Sequence, residues 1–159
     1  MFLNKRYAQA SVAFRNAGRN REVAICDAYL LREKARLIST IAGAARIRAF
    51  INAANAFISC ARDSHSKQVN ERLAYYGAAG ECYTEARDLK DAGDSYRKAE
   101  QYTAAARAYR EGGYFDEMVE VITQYGSALD SNLLERLTMA ARMHYFKVCF
   151  TGRLVCKHL

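Results

Sequence analysis

Seven arginines near the start of the chain, Arg15, Arg19, Arg21, Arg32, Arg36, Arg46 and Arg48, carry the strongest chemistry the sequence offers. A guanidinium is a flat, permanently charged fork of donors that suits a carboxylate or a phosphate. Arg32 and Arg36 stand one helical turn apart, as do Arg15 and Arg19, whereas Arg21 follows a break at Gly18. Arg46 and Arg48 are two apart, so they border a helical stripe rather than share it. A solvated helix face would carry arginines in the same way. The functional alternative is a surface for an acidic protein partner, with nucleic acid as the rival reading. No Gly-rich phosphate loop, zinc finger or recognition helix accompanies these residues. The nucleic-acid reading therefore rests on charge alone.

Other reactive side chains support no reaction. Cys26, Cys60 and Cys82 fall within apolar helical stripes, where a thiol packs as a small hydrophobe. Cys149, Cys156 and His158 lack a fourth ligand and a zinc-site spacing. His65 lies in a polar Ser-His-Ser segment, and His144 stands between Met143 and Tyr145 as a packing or partner residue. Glu81 with Glu85, and Glu117 with Glu120, put carboxylates on neighbouring turns, as an acid–base pair requires. They alternate with Arg87, Lys90, Arg97 and Lys98, the pattern of a solvated helix. The expectation is a binding protein, not an enzyme, with no cofactor and no metal; after nucleic-acid binding, a small enzyme with a helical pocket is the second alternative.

The elements that must position these groups are helical. Among 159 residues there are 28 alanines and no proline, which favours packed helices over a turn-rich β fold. Charge is segregated along the chain. Residues 1–72 hold 13 Lys/Arg against 5 Asp/Glu, residues 73–135 hold 6 against 12, and residues 136–159 hold 5 against none. Such a chain attracts a polyanion at its ends and repels it in the middle. Complementary patches of this kind also suit a second copy of the molecule, so a homo-oligomer is a further expectation. Five cysteines, an odd number without a disulfide framework, point to a reducing intracellular setting, cytoplasm or nucleus. The amino terminus has no apolar run of signal-peptide length, and no apolar stretch is long enough for a membrane span.

A 13-residue repeat runs from about residue 70 to residue 126. Tyr83, Tyr96 and Tyr109 share one column, and Ala86, Ala99 and Gly112 the next. Tyr76, Leu89, Tyr102 and Phe115 follow, then Ala79, Ala92, Ala105 and Met118. Large and small residues alternate at spacings of three or four, so an aromatic of one helix rests on a small residue of its neighbour. The period allows short helices with breaks near Arg87-Asp88, Glu100-Gln101 and Gly112-Gly113-Tyr114. One continuous helix through residues 70–112 is the competing reading, weakened by Gly77, Gly80 and Gly93. The amino half shows longer apolar faces. These are Tyr7, Ala10, Phe14 and Ala17, ending at Gly18; Ala24, Ala28, Leu31, Ala35 and Ile38; and, beyond Gly43, Phe50, Ala53, Ala54, Phe57, Ile58 and Ala61. Asp130 is the expected cap of a last helix with apolar residues on more than one side.

Segments such as Cys82-Tyr83-Thr84-Glu85-Ala86, Asp91-Ala92-Gly93-Asp94 and Ala105-Ala106-Arg107-Ala108-Tyr109-Arg110-Glu111-Gly112-Gly113 resemble tetratricopeptide-like helical repeats. They are similar to the degenerate repeats in the tails of large superfamily-1 helicase-like proteins with tetratricopeptide and ankyrin content. The resemblance covers roughly residues 8–125. It departs from the family in its period of 13 residues per helix, or 26 per hairpin, against a usual unit of about 34, and in lacking Trp, a closing Pro and any helicase nucleotide loop. What it implies is an all-α array of six to eight short stacked antiparallel helices in a right-handed superhelix, offering a surface to other proteins. Residues 1–150 are expected to form that domain, with residues 151–159 a frayed tail.

Overall fold

Where the chain must turn within two or three residues, a helix commonly ends by passing one residue through the left-handed region. Arg87, Glu100 and Gly113, each 13 residues from the next, have φ of 62°, 59° and 78°. The carbonyls of Tyr83, Tyr96 and Tyr109 accept from the N–H groups of Asp88, Gln101 and Tyr114 at 3.0, 2.9 and 2.8 Å. The carbonyls of those same three residues then open the next helices, accepting from Ala92, Ala105 and Met118 at 3.0 Å each. One residue thus closes a helix and starts another. Gly18, at φ 69°, makes the same turn earlier, with Arg19 donating to the Phe14 carbonyl at 2.9 Å.

The computed structural model describes residues 2–64 and 68–150, with side chains from Arg6 to Cys149. His65, Cys156, His158 and the expected tail at 151–159 lie outside the described residues. The described chain is all-α: α1 (Phe2–Asn16), α2 (Asn20–Leu37), α3 (Gly43–Arg62), α4 (Val69–Glu85), α5 (Leu89–Lys98), α6 (Tyr102–Gly112), α7 (Phe115–Tyr125) and α8 (Ser131–Phe150). A short 3₁₀ turn at Gly126–Ala128 precedes α8, whose start is capped by Asp130 Oδ2 accepting from the Leu133 N–H at 3.1 Å. Each helix packs mainly against its neighbours in sequence, an arrangement consistent with a helical-repeat stack. The continuous helix over 70–112 is not formed; three helices occupy that stretch.

The repeat columns are the seams. Ala79, Ala92, Ala105 and Met118 are fully buried, Tyr83 and Tyr109 are buried, and Tyr96 is half-buried. Gly80 and Gly93 do not break their helices; they admit rings. A Cβ on Gly80 would stand 2.7 Å from the Tyr96 ring, and one on Gly93 2.4 Å from the Tyr109 ring. The phenol oxygens find polar partners: Tyr83 donates to Asn55 at 2.8 Å, Tyr109 donates to Asp94 at 2.5 Å, and Tyr96 lies 3.3 Å from the Thr84 hydroxyl.

In the amino half, Phe50 and Phe57 sit among Ala28, Ala35, Ala53, Ala54 and Ala61, all buried. The α2 face is rotated from the expected one. Ala24 and Leu31 are exposed, while Cys26 is buried and Ile25 and Tyr29 pack on the core. The reason is Tyr29, which stacks on Tyr7 of α1 at 5.0 Å and meets Phe57 of α3 edge-on at 5.0 Å. Aligning that ring with both neighbours turns Leu31 outward. His144 is a packing residue, stacked on Phe115 at 4.0 Å.

Candidate functional site

The arginines of α2 and α3 meet carboxylates of α4. Arg21 donates to Glu71 at 2.7 Å, Arg32 to Glu81 at 3.5 Å, and Arg46 to Glu85 at 3.0 Å. Glu81 and Glu85 of the acidic middle, with Glu71 just before it, therefore answer the basic first half from within. Arg36 pairs with Glu33 at 2.9 Å, Arg19 with Glu22 at 2.5 Å, and Arg15 approaches Asp27 to 3.9 Å. Arg48 is exposed, with no ion pair among the described residues. The Arg19 hydrogen bond holds the Glu22 carboxyl below its ordinary range.

Three of these arginines also cover aromatic rings, Arg19 lying 5.0 Å from the Phe14 centroid. Arg32 lies 5.0 Å from the Tyr29 centroid and 5.7 Å from that of Phe57. Arg46 lies 4.9 Å from the centroid of Phe50. The guanidinium roofs the core with its face and offers N–H groups at its edge. Arg46 does more: its Nη1 donates to the Ile38 carbonyl at 3.1 Å, satisfying an orphan acceptor at the end of α2. The Nε of Arg32 is buried 3.5 Å from Glu33 Oε1, off the hydrogen-bond line, and has no other partner among the described residues. Arg32 and Arg46 are therefore partly structural, and Arg36 and Arg48 are the members of the set left most open on these two helices.

A cleft of about 370 Å³ lies beside this group, lined by Arg32, Arg36, Phe50, Glu81, Cys82 and Glu85 together with Thr84 and Tyr96. Thr84 and Tyr96 also line a neighbouring cleft of about 500 Å³ reaching Gln101, Ala104, Arg107 and Glu111. Away from both, a polar cleft of about 430 Å³ is bounded by Asn55, Arg62, Tyr83, Asp91, Asp94 and Lys98. Burial, aided by Asp88 and Asp94, raises the Asp91 carboxyl.

The groups that sequence spacing offered for catalysis are engaged otherwise. Glu81 and Glu85 are tied to Arg32 and Arg46, and Glu117 and Glu120 to Lys90 at 2.6 Å and Arg97 at 3.0 Å. The Lys90 hydrogen bond lowers Glu117. Burial pushes the Cys82 thiol up to about 12, and raises Cys26 and Cys60, which disfavours the nucleophilic thiolate. Among the described residues no group of three or more His, Cys, Asp or Glu converges to hold a metal ion, and no helix is long and apolar enough to cross a membrane.

Sequence reasoning placed the arginines on helices but not their partners. Glu71, Glu81 and Glu85 lie 50, 49 and 39 residues from Arg21, Arg32 and Arg46. The one signal available, the sign change between residues 1–72 and 73–135, covers Glu81 and Glu85 but not Glu71. Comparison with protein-family models, curated proteins and solved structures finds no match.

Proposed function

We propose that this chain is a protein-interaction module of the helical-repeat kind, tetratricopeptide-like and right-handed in its stacking. It would hold a partner with an acidic surface on the face bearing Arg32, Arg36, Arg46 and Arg48, with Arg15, Arg19 and Arg21 extending that face along α1 and α2. Its mechanism is binding rather than catalysis, without a cofactor, in an intracellular setting. Helices already fixed by their packing present the guanidinium groups with little further ordering cost.

The observation that carries this reading is the interleaving of signs. Carboxylates of the same chain stand beside six of the seven arginines, from 2.5 Å at Glu22 to 3.9 Å at Asp27. A mixed surface suits a protein with a matching pattern of charge, and it opposes the uniform phosphate rail of a nucleic acid. A helical partner carboxylate would exchange places with Glu81 or Glu85.

Affinity capture with the wild-type chain and with Arg36→Glu/Arg48→Glu, followed by direct titration of whatever is captured, tests the reading. A partner of acidic surface should bind the wild type and lose at least tenfold (~1.4 kcal/mol) with the double reversal. Fluorescence anisotropy on generic duplex and single-stranded oligonucleotides supplies the counter-test. Tight binding with a steep salt dependence there would replace the protein partner by nucleic acid.

A further inference from the structure

The two largest apolar exposures of the amino half, Leu37 and Ile41, stand where α2 turns into α3, while Val12, at 54%, lies apart on α1. Leu37 ends α2 at 71% exposure, Ile41 stands in the turn at 95%, and Ile47 follows in α3 at 39%. Lys34, Arg36 and Arg48 are exposed around them, and no Asp or Glu occurs from residue 34 to residue 62. The turn is fastened. Arg46 bridges the carbonyls of Arg36 and Ile38 at 3.4 and 3.1 Å, and the Ile41 N–H donates to Ser39 Oγ at 3.3 Å. The three clefts described above are lined by none of Leu37, Ile41 and Ile47. Two bulky apolar side chains, Leu37 and Ile41, thus stand out from a held turn beside Lys34, Arg36 and Arg48, of which Arg36 also pairs with Glu33 at 2.9 Å.

From this we propose that the α2–α3 tip docks on an anionic membrane surface, with Leu37 and Ile41 entering the headgroup–acyl boundary and Lys34, Arg36 and Arg48 at the lipid phosphates. A soft bilayer accommodates a projection, whereas a rigid protein partner must supply a socket shaped for it. Cations at the edge of an apolar insertion are what an anionic leaflet attracts. The docking is peripheral, needs no spanning helix, and does not rest on the acidic protein partner proposed above.

Flotation of the 159-residue chain with phosphatidylcholine vesicles, with and without phosphatidylserine, is the test. The chain should float with the phosphatidylserine vesicles and not with phosphatidylcholine alone. Ile41→Asp should lower the bound fraction about tenfold, and Arg48→Glu about fivefold or more. Both positions are exposed, so unchanged thermal melting would certify the fold of each variant. No flotation on either vesicle overturns the proposal. So does flotation indifferent to Ile41→Asp, which would mean plain charge attraction. If instead an acidic amphipathic helical peptide binds through Ile41 while vesicles do not, the tip is a protein contact and the lipid assignment fails.

Discussion

Helices α4 to α7 and helices α1 to α3 face one packing problem, how to seat aromatic rings in the gap between helices, and solve it with different chemistry. In the first group the gap closes on glycine. Gly80 receives Tyr96 and Gly93 receives Tyr109, and each phenol oxygen is then led to a polar partner, Thr84 or Asp94. In the second group the rings of Phe50 and Phe57 lie among alanines, and arginine roofs them from outside. A glycine seam is set by sterics, so its register tolerates little. An alanine seam with an arginine roof leaves the cation able to meet other carboxylates. The difference explains why the regular repeat belongs to one region and the proposed binding face to the other.

The strongest way to break this comparison is to remove the rings themselves. Phe57→Ala and Tyr109→Ala should each cost about 3–5 kcal/mol in urea unfolding, the range for emptying a large buried site. A loss at Phe57 far below that at Tyr109 would mean that the amino half does not stand on its rings. A smaller and more pointed change is Gly93→Ala. The added methyl meets the fully buried Tyr109 ring, and the overpacking outweighs the gain in helix propensity, for a net loss of about 1–2 kcal/mol. Gly80→Ala should cost less, because Tyr96 is half-buried and borders open clefts. Equal losses would show that the two glycines do not differ in steric strictness.

Alkali tests the ground between the two regions, where Cys82 of α4 is buried. Its thiol is raised from an ordinary 9.0 to about 12, chiefly by burial. Between those values the folded chain holds a proton that the unfolded chain has released, so stability falls as pH rises from 9.0 towards 12. Cys82→Ala should flatten that fall by at most about 1.4 kcal/mol per pH unit, read from melting temperatures between pH 8 and pH 11 in about half-unit steps. An unchanged slope would assign the alkaline loss to other groups. The smallest expected effect is a gain. Glu100 adopts the left-handed turn that Gly113 takes freely, and Glu100→Gly should stabilise by about 0.5–1 kcal/mol. A loss instead would mean that the helix-ending geometry is not what limits this turn.

These features differ in how far they can be read from the chain itself. The seams at Tyr83, Tyr96 and Tyr109 and the breaks at 87–88, 100–101 and 112–114 were legible, because one local packing requirement recurs at a fixed interval. The function of Gly80 and Gly93 was not, since a glycine in a helix reads as weakness until the ring opposite it is known. The turned face of α2 escaped for a similar reason: Tyr29 answers to α1 and α3 at once, and helical periodicity contains neither. The arginine face was legible as a set of residues but not as a set of pairs. Three of its carboxylates, Glu71, Glu81 and Glu85, arrive from α4, and periodicity says nothing of such distant neighbours. The exposed tip at Leu37 and Ile41 was not legible, because neither residue belongs to a helical stripe and spacing alone does not say which side of a turn meets solvent.

The shared residues at 88, 101 and 114, each ending one helix as it begins the next, constrain how such a chain can vary in length. Inserting one residue into α5 or α6 would swing every later side chain by about 100° and strand the aromatic columns. Lengthening by a complete hairpin would restore both direction and phase. Growth by whole duplicated units, rather than by gradual insertion, is the natural route by which this architecture acquires new surface.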